Sequence, residues 1–416
     1  MRSALLLMLL FVPTVRAQVT HYTVKVTPDL DHHVLHGEET IEFQNDAGNI
    51  EWQKQSGLQI TATKTTDGEA ALADEAVSIR LRKGGKHIVR FEYTAAYSSA
   101  RSPGMTWFTK DPGFDTDFYC EAWMVCNNSP AQRATLILEI VLPTSSGLKA
   151  VGPGRLKKEW HNKEGEHAVF EQSAPIQTYL FSFGVAKLNR SLDGQLILYS
   201  PDTDAHKVAF TKTADAFAFL RSKAGVDLGD SQYTQASMPE PTGQEAGGLA
   251  LMPPNFLPNL EQKDNVLLMS HELAHQWWGV LVGIRSWSDF WLNEGMADFM
   301  SYAYVEHHLG RAAYDQQIAA TKERMETLRE QGRDRPLHWD GWKDSHGALG
   351  RIPYVKGSLF LDQLRTELGE ENFWRGITLY TSHNANKLVD SHDFEEAMEA
   401  ASGRNLKVLF DEAVYH

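Results

Sequence analysis

Two histidines and a glutamate lie close together in the segment MSHELAHQWWG, as His271, Glu272 and His275. Residues four positions apart lie on the same face of an α-helix, so a helical HELAH segment directs both imidazoles toward one point. Two neutral imidazoles in that arrangement are typical of a zinc site. The alternative is a solvated helical face, because the chain has 17 histidines and the pattern also arises by chance.

A glutamate further along the chain completes the set of ligands that a catalytic zinc ion requires. Eighteen residues, 276–293, separate His275 from Glu294 in the segment WLNEGMADF. Two histidines and one glutamate leave the fourth position of zinc open for water, as in catalytic rather than structural sites. Glu272 then remains as the general base for that water. Asp298 lies about one helical turn after Glu294, so we expect it to accept the second N–H of a ligand histidine, the alternative being an ordinary surface aspartate.

The elements that must position these residues change in type near Leu192. Residues 18–192 contain short runs in which apolar and polar residues alternate, such as HYTVKVTP and KHIVRFEYTA, separated by Gly, Pro, Asn and Asp. This pattern predicts an N-terminal antiparallel β-sandwich or saddle-like domain. Residues 193–416 carry apolar residues at spacings of three and four, as in DNVLLMSHELAHQWWGVLVG, which predicts a mainly helical domain. The expected fold class is therefore α+β.

Length and composition agree with a folded protein of two domains. The 416 residues exceed what one typical core accommodates. Hydrophobic residues make up 42% and charged residues 23%, without low-complexity tracts, so disorder is not indicated. A formal net charge of −14 makes nucleic acid and anionic membranes poor partners.

Residues 1–17 have the features of a cleavable signal peptide, with the basic Arg2, an apolar run and the small Ala17 at the cleavage position. The run is too short to span a membrane, and no later segment offers about 18 uninterrupted apolar residues. We therefore expect a soluble protein that is secreted or periplasmic. An oxidising compartment would permit Cys120 and Cys126 to pair, but the sequence leaves their pairing open.

The segment HELAHQWWGVLVGIRSWSDFWLNEGMADF resembles the zinc aminopeptidases of the aminopeptidase N and leukotriene hydrolase type, which are gluzincins of peptidase family M1. The resemblance extends upstream to NNSPAQRATLILEIVLP and TYLFSFGVAKL, and downstream to IPYVKGSLFLDQLRTELGEENF and SHDFEEAMEAASGRNLKVLFDE. It implies a thermolysin-like catalytic domain at residues 193–416, following a β-domain at residues 18–192.

The resemblance also implies roles for individual residues. His271, His275 and Glu294 would bind zinc, and Glu272 would be the general base. Tyr354, within the family's Tyr-x-Lys-Gly pattern, would stabilise the oxyanion by donating a hydrogen bond. Outside such a pattern a lone tyrosine is usually a packing residue.

The segment EAGGLALMPP departs from the family pattern just before the HELAH helix. The family has Gly-x-Met-Glu-Asn there, whose backbone pairs with extended substrate and whose Glu holds the free α-amino group. We expect Ala250 to occupy the Glu position, so that this amine anchor is lost unless Glu121 or Glu245 replaces it. Backbone pairing by Gly247 and Gly248 would persist, since it needs only main-chain groups.

Two further departures concern the β-domain and the chain length. The segment DTDFYCEAWMVC has no clear match to the family's amine-contacting Gln. The family's helical C-terminal domain is expected to be absent, because the chain ends shortly after the catalytic domain, and the cleft would then be more open.

The leading interpretation is a secreted zinc metallopeptidase that hydrolyses peptide bonds from the N-terminus through a zinc-activated water. The first alternative is an endopeptidase or another hydrolase without amine recognition, which Ala250 favours. The second is a zinc-bearing binding protein without catalysis, for which a base and an oxyanion donor would be unnecessary. The expected partner is a peptide substrate, and the sequence does not indicate the oligomeric state or the preferred side chain.

Overall fold

The computed structural model describes residues 18–229, 231–342 and 350–416, and the predicted signal peptide at residues 1–17 lies outside these ranges. The described chain begins with a domain of β-sheets and continues into a mainly helical domain, so the predicted α+β class is confirmed. No helix within the described ranges is both long enough and apolar enough to cross a membrane.

The N-terminal domain is built from short strands joined by tight turns. These strands are β1 (Gln18–Asp29), β2 (Val34–Asn45), β3 (Gly48–Gln53), β4 (Leu58–Thr65), β5 (Glu69–Leu72), β6 (Ala76–Leu81), β7 (Gly85–Ala96), β8 (Arg101–Ser102), β9 (Met105–Trp107), β10 (Phe114–Thr116), β11 (Arg133–Leu142), β12 (Lys149–Val151), β13 (Arg155–His161), β14 (Glu166–Gln177) and β15 (Gly184–Ala186).

Three sheets form this domain. The largest has the order β13-β14-β11-β1-β2-β7-β4, the second β12-β15-β10-β9-β8, and the smallest β3-β6-β5. All described pairings are antiparallel except that of β1 with β11, which is parallel. Alternate residues of β1, including Tyr22, Val24 and Val26, are fully buried, as the sequence alternation predicts.

The second domain also contains a sheet, which the periodicity of its sequence did not predict. Its strands are β16 (Asn189–Asp193), β17 (Leu196–Ser200), β18 (Tyr233–Ser237), β19 (Gln244–Ala246) and β20 (Leu249–Met252), in the order β16-β17-β18-β20-β19. Four of these strands, β17 to β20, are buried at every residue, and periodicity does not separate such short buried runs from helix. The sheet begins at Asn189, so the predicted boundary at Leu192 falls inside its first strand.

Helices make up most of the rest of the second domain. They are α1 (His206–Ala224), α2 (Lys263–Ala274), α3 (Trp291–Leu309), α4 (Arg311–Glu330), α5 (Arg351–Leu368), α6 (Glu370–His383), α7 (Ser391–Ser402) and α8 (Lys407–Phe410), and the short strands β21 (Gly283–Ile284) and β22 (Leu388–Val389) pair in parallel. Short 3-10 turns occur at Cys120–Ala122, Thr178–Leu180, Leu257–Asn259 and Trp287–Asp289, and a π turn at Asp411–Tyr415.

Helices α3 and α5 cross where two glycines face each other. The Cα of Gly357 lies 2.8 Å from the position that a Cβ on Gly295 would occupy, and the carbonyl oxygen of Pro353 lies equally close. Both neighbours are backbone atoms, which cannot rotate away. This close approach sets the distance between Glu294 and Tyr354, which stand next to the crossing on α3 and α5.

We expect Gly295→Ala to lower the free energy of unfolding by about 1–3 kcal/mol, because the added methyl group forces the two helices apart. Urea unfolding of the variant and of wild type measures the change. The control is Gly84→Ala on the surface of the β-domain, where the nearest atom lies 3.4 Å from the added Cβ. Equal unfolding midpoints for Gly295→Ala and wild type would contradict the helix contact.

Candidate active site

Three side chains bring nitrogen and oxygen atoms to one point between α2 and α3. His271 lies in the last turn of α2, His275 is the residue that ends this helix, and Glu294 lies in the first turn of α3. The Nε2 atoms of the two histidines are 3.0 Å apart. Oε2 of Glu294 lies 3.3 Å from Nε2 of His271 and 3.5 Å from Nε2 of His275. The three predicted ligands therefore share one site.

The spacing of these three atoms fits a zinc ion. A tetrahedral zinc ion with bonds of about 2.0–2.1 Å holds its ligand atoms about 3.3–3.4 Å apart, which is close to the observed triangle. Oε1 of Glu294 is buried and has no hydrogen-bond partner among the described residues, so the carboxylate is not fully satisfied by the protein. The residues present thus suit the ion in chemistry and in geometry.

The second nitrogen of each histidine is held by an acceptor outside the site. Nδ1 of His271 lies 2.9 Å from Oδ1 of Asp298, and Nδ1 of His275 lies 3.2 Å from the carbonyl oxygen of Trp278. Donation from Nδ1 leaves Nε2 free to bind a metal and fixes the orientation of each ring. Asp298 therefore lies beside the second ring nitrogen of His271, as predicted from its spacing after Glu294.

Electrostatics at the site favour a positive charge. Although burial opposes ionisation of Glu294, His275 and His271 hold the pKa of its carboxyl at about 2. Burial disfavours a charged His275, yet the carboxylates of Glu294 and Glu245 raise its pKa to about 9. A cation is therefore stabilised between these groups, as a metal site requires.

Glu272 also lines the cleft. It is nearly fully buried, and its Oε2 has no hydrogen-bond partner within the described chain. Burial, reinforced by the nearby acids, raises the pKa of its carboxyl despite the two histidines. A carboxyl group that holds a proton more strongly than usual is suited to accept one during a reaction.

Tyr354 contributes a hydroxyl from the neighbouring helix α5. Its ring lies parallel to that of His271, with ring centroids 6.2 Å apart and an interplanar angle of 9°. Burial, followed by the field of Glu294, raises the pKa of the phenol well above its usual value. The hydroxyl thus stays protonated and can donate a hydrogen bond to an oxygen in the cleft.

Glu245 joins the site from the edge strand β19. Its carboxylate is only 4% exposed, and one of its oxygens lies within 4.8 Å of ligand atoms of both Glu272 and His275. Burial, together with neighbouring acids, raises the pKa of this carboxyl to about 8. One oxygen approaches the amide of Gln244 at 3.2 Å, and the other has no partner among the described residues. A carboxyl group in this state is ready to accept hydrogen bonds from a ligand.

Gly247, Gly248 and Ala250 do not line this cleft, which corrects their predicted role in substrate binding. Ala250 is fully buried on the inner strand β20, directly opposite Glu245 in the β19–β20 pairing. The N–H of Gly247 donates to Leu180 and that of Gly248 to the side chain of Gln276. These main-chain groups already have partners within the protein, so they are not available to pair with a peptide.

A hairpin turn explains why Ala250 does not take the position predicted for it. Gly247 and Gly248 form the turn between β19 and β20, and Gly248 has a φ of +69°, which suits glycine. The acid that faces the cleft stands before this turn, whereas Ala250 stands after it. The Gly-Gly pair, read as a turn signal, would have placed Glu245 on the outer strand. Glu121, the other acid considered as an anchor, is not among the residues that line the cleft.

The site opens into a cleft of about 910 Å³ between the two domains. One wall belongs to the β-domain and includes Asp115, Asp117 and Phe118. The opposite walls are formed by α2, α3, α4 and α5, and the segment 241–245 closes one side. A peptide in this cleft would contact both domains.

Comparison with known proteins finds similarity to peptidases. Residues 245–412 match the Peptidase family M1 domain. The chain is 26% identical to aminopeptidase N of Lactobacillus helveticus over 92% of its own length, and 26% identical to leucine aminopeptidase 2 of Yarrowia lipolytica over 77%. It spans about half of these relatives, 49% and 52% respectively.

A solved structure shares the whole fold. The M1 zinc metallopeptidase from Deinococcus radiodurans superposes with a TM-score of 0.79 at 20% identity, covering 96% of this chain and 93% of that one. A mutant of that protein has been solved bound to a Tyr-Ser-Ala substrate. The match to the Peptidase family M1 domain includes the residues that carry the HELAH helix and Glu294, so the candidate metal site lies within the part of the chain that resembles this family.

Proposed function

We propose that this protein is a secreted zinc aminopeptidase that removes residues from the free N-terminus of peptides. The observation that carries the proposal is the position of Glu245. A buried carboxyl group with an unpaired oxygen lies within 4.8 Å of the ligand atoms of Glu272 and His275. An α-ammonium group bound there would lie one residue from the site of hydrolysis, as an aminopeptidase requires.

His271, His275 and Glu294 would hold the zinc ion. Bound zinc supplies Lewis-acid chemistry, which polarises a carbonyl group and makes a water molecule more acidic. Asp298 and the carbonyl oxygen of Trp278 keep the two imidazoles in the tautomer that this binding needs.

The remaining groups move protons and stabilise charge. Glu272 accepts a proton from the attacking water and passes it to the departing amine. The hydroxyl of Tyr354 donates a hydrogen bond to the carbonyl oxygen, where negative charge develops in the transition state. Strand β19 lies at the edge of its sheet, so an extended peptide can pair with its backbone beside Glu245.

The position of Glu245 also supports the aminopeptidase over the competing interpretations. An endopeptidase was favoured by the loss of an amine anchor at Ala250, and an acid in the cleft removes that reason. A binding protein without catalysis would not need a base and a hydroxyl donor beside the metal ligands.

Location outside the cytoplasm is part of the proposal. The leader at residues 1–17 has the composition of a signal peptide. Cys120 and Cys126 form a disulfide with their Cα atoms 6.3 Å apart. Such bonds persist in secreted and periplasmic proteins, which supports this location.

We expect one zinc ion per chain and loss of peptide hydrolysis when a chelator removes it. Elemental analysis and hydrolysis of a peptide pool, with and without chelator, measure both properties. His275→Ala should lose the metal and the activity together, whereas His36→Ala, which changes an exposed histidine on β2, should keep both. Full hydrolysis by metal-free protein would refute the proposal.

Glu272→Gln should retain zinc and lower kcat by about 100-fold to 10,000-fold, because the amide keeps the shape of the side chain but cannot accept a proton. Steady-state kinetics together with zinc content separates this effect from loss of the metal. A variant that turns over within a few-fold of wild type would assign the base to another residue.

Glu245→Gln should lower kcat/KM for a peptide with a free N-terminus by about 10-fold to 150-fold, the range for hydrogen bonds to charged groups. Hydrolysis of the same peptide with an acetylated N-terminus should not fall. Asp264→Asn is the matched control, since it removes another acid that lines the cleft, on α2. Unchanged discrimination between free and acetylated peptides in Glu245→Gln would place the amine anchor elsewhere.

A further inference from the structure

Two acidic side chains face the cleft from the β-domain wall. Asp115 belongs to β10, where it is held between Thr106 of β9 and Gly184 of β15, and is only 6% exposed. Asp117 follows directly after this strand, and its N–H donates to the carbonyl oxygen of Gly104. Both carboxyl groups line the same cleft as His271 and Glu245. Neither has a role in the mechanism above.

The protein does not fully satisfy the hydrogen-bonding capacity of Asp117, and burial disfavours the charged form of both acids. Oδ1 of Asp117 is buried and has no hydrogen-bond partner within the described residues. Burial raises the pKa of Asp117 to about 6, and burial together with the nearby Asp117 raises the pKa of Asp115 to about 8. Burying ionisable groups without a cation is costly, so their presence in a cleft points to a ligand that supplies positive charge.

The surrounding charges leave this wall negative. Arg101 is the described cation near Asp115, and its guanidinium is already paired with Glu240 at 2.9 Å. Glu240 also accepts hydrogen bonds from the N–H and hydroxyl of Thr109, which hold its carboxylate in place beside Arg101. Glu121 adds a further carboxyl group that interacts electrostatically with Asp117, and burial raises its pKa to about 7. A cation entering the cleft would therefore meet more acids than bases.

Aromatic residues beside the acids suit an extended aliphatic chain. Phe118 and Tyr119 follow Asp117 directly, line the cleft and are largely buried. The Phe118 ring stacks on Tyr179, with centroids 5.0 Å apart and an interplanar angle of 8°, and meets Phe290 edge-on. Such a rigid apolar surface next to carboxylates matches the side chain of lysine or arginine, which joins methylene groups to a terminal charge.

We propose that Asp115 and Asp117 form a subsite that binds the positively charged side chain of an N-terminal lysine or arginine. The inference rests on the proposed aminopeptidase function. When Glu245 holds the α-amino group and the scissile carbonyl lies at the zinc ligands, the first side chain remains free to reach the β-domain wall. The enzyme then prefers peptides that begin with a basic residue.

The first test uses wild-type, zinc-loaded protein and pairs of substrates that differ in charge but hardly in shape. Arginine is compared with citrulline, and lysine with Nε-acetyl-lysine, each as the N-terminal residue of the same peptide, and leucine serves as the neutral reference. We expect kcat/KM to be about 10-fold to 150-fold higher for the charged member of each pair, mainly through a lower KM. Equal values within each pair would overturn the proposal.

The second test uses Asp115→Asn and Asp117→Asn, which keep the size of each side chain. We expect each variant to reduce the preference for arginine over citrulline by at least about 10-fold while leaving hydrolysis of the leucine peptide within a few-fold of wild type. Asp264→Asn should leave this preference unchanged, although it removes one acid from the same cleft. Thermal unfolding of each variant confirms that it is folded.

The outcomes separate this subsite from the proposed function. If the leucine peptide is cleaved but kcat/KM is the same for charged and neutral N-terminal residues, the subsite proposal is wrong and the aminopeptidase proposal stands. If no peptide with a free N-terminus is cleaved, the proposed function itself fails. If Asp117→Asn lowers kcat/KM equally for the arginine and leucine peptides, Asp117 binds the α-amino group instead, and the side-chain subsite is overturned.

Discussion

The contact of Glu294 with His271 and His275 is the interaction around which the catalytic domain is arranged. Its carboxylate lies 3.3 and 3.5 Å from the two Nε2 atoms, and the side chain is almost completely buried. A buried carboxylate is stable only when its charge is compensated, so the ends of α2 and α3 must stay together. The glycine contact between α3 and α5 extends the same constraint to Tyr354, because it leaves no room for the two helices to shift.

A single glutamine links the candidate metal site to the strand that would receive the peptide. The side chain of Gln276, next to His275, donates to the carbonyl oxygen of Ala246 and accepts from the N–H of Gly248. Its side chain is therefore hydrogen-bonded to both sides of the β19–β20 turn. Glu245, one residue before Ala246, is held in register with the HELAH helix, which would give the proposed anchor acid a fixed distance from the proposed site of hydrolysis.

The β-domain takes part in the site as a rigid wall. The hydroxyl of Tyr179 accepts a hydrogen bond of 2.6 Å from Asn293, the neighbour of Glu294 on α3. The disulfide closes the segment from Cys120 to Cys126, and Cys126 exchanges two backbone hydrogen bonds with Gln53 of β3, so the segment that follows Asp117 is attached to the β-domain. Side chains at Asp115 and Asp117 are thus presented to the cleft by elements that have little freedom to move away.

The sequence by itself determined the three residues that meet at the candidate metal site, the neighbouring Glu272 and the two-domain α+β architecture, because these depend on local spacing. His271 and His275 are one helical turn apart, and strand alternation in β1 is visible without any partner. Only the tertiary structure decided which residues share the cleft. Glu245 and Ala250 are opposite residues of a hairpin, but Glu245 lies on the edge strand and lines the cleft, whereas Ala250 lies on the inner strand and does not. Asp115 and Asp117 belong to another domain, and the packing of that domain against the helices brings their buried carboxyl groups to the same cavity.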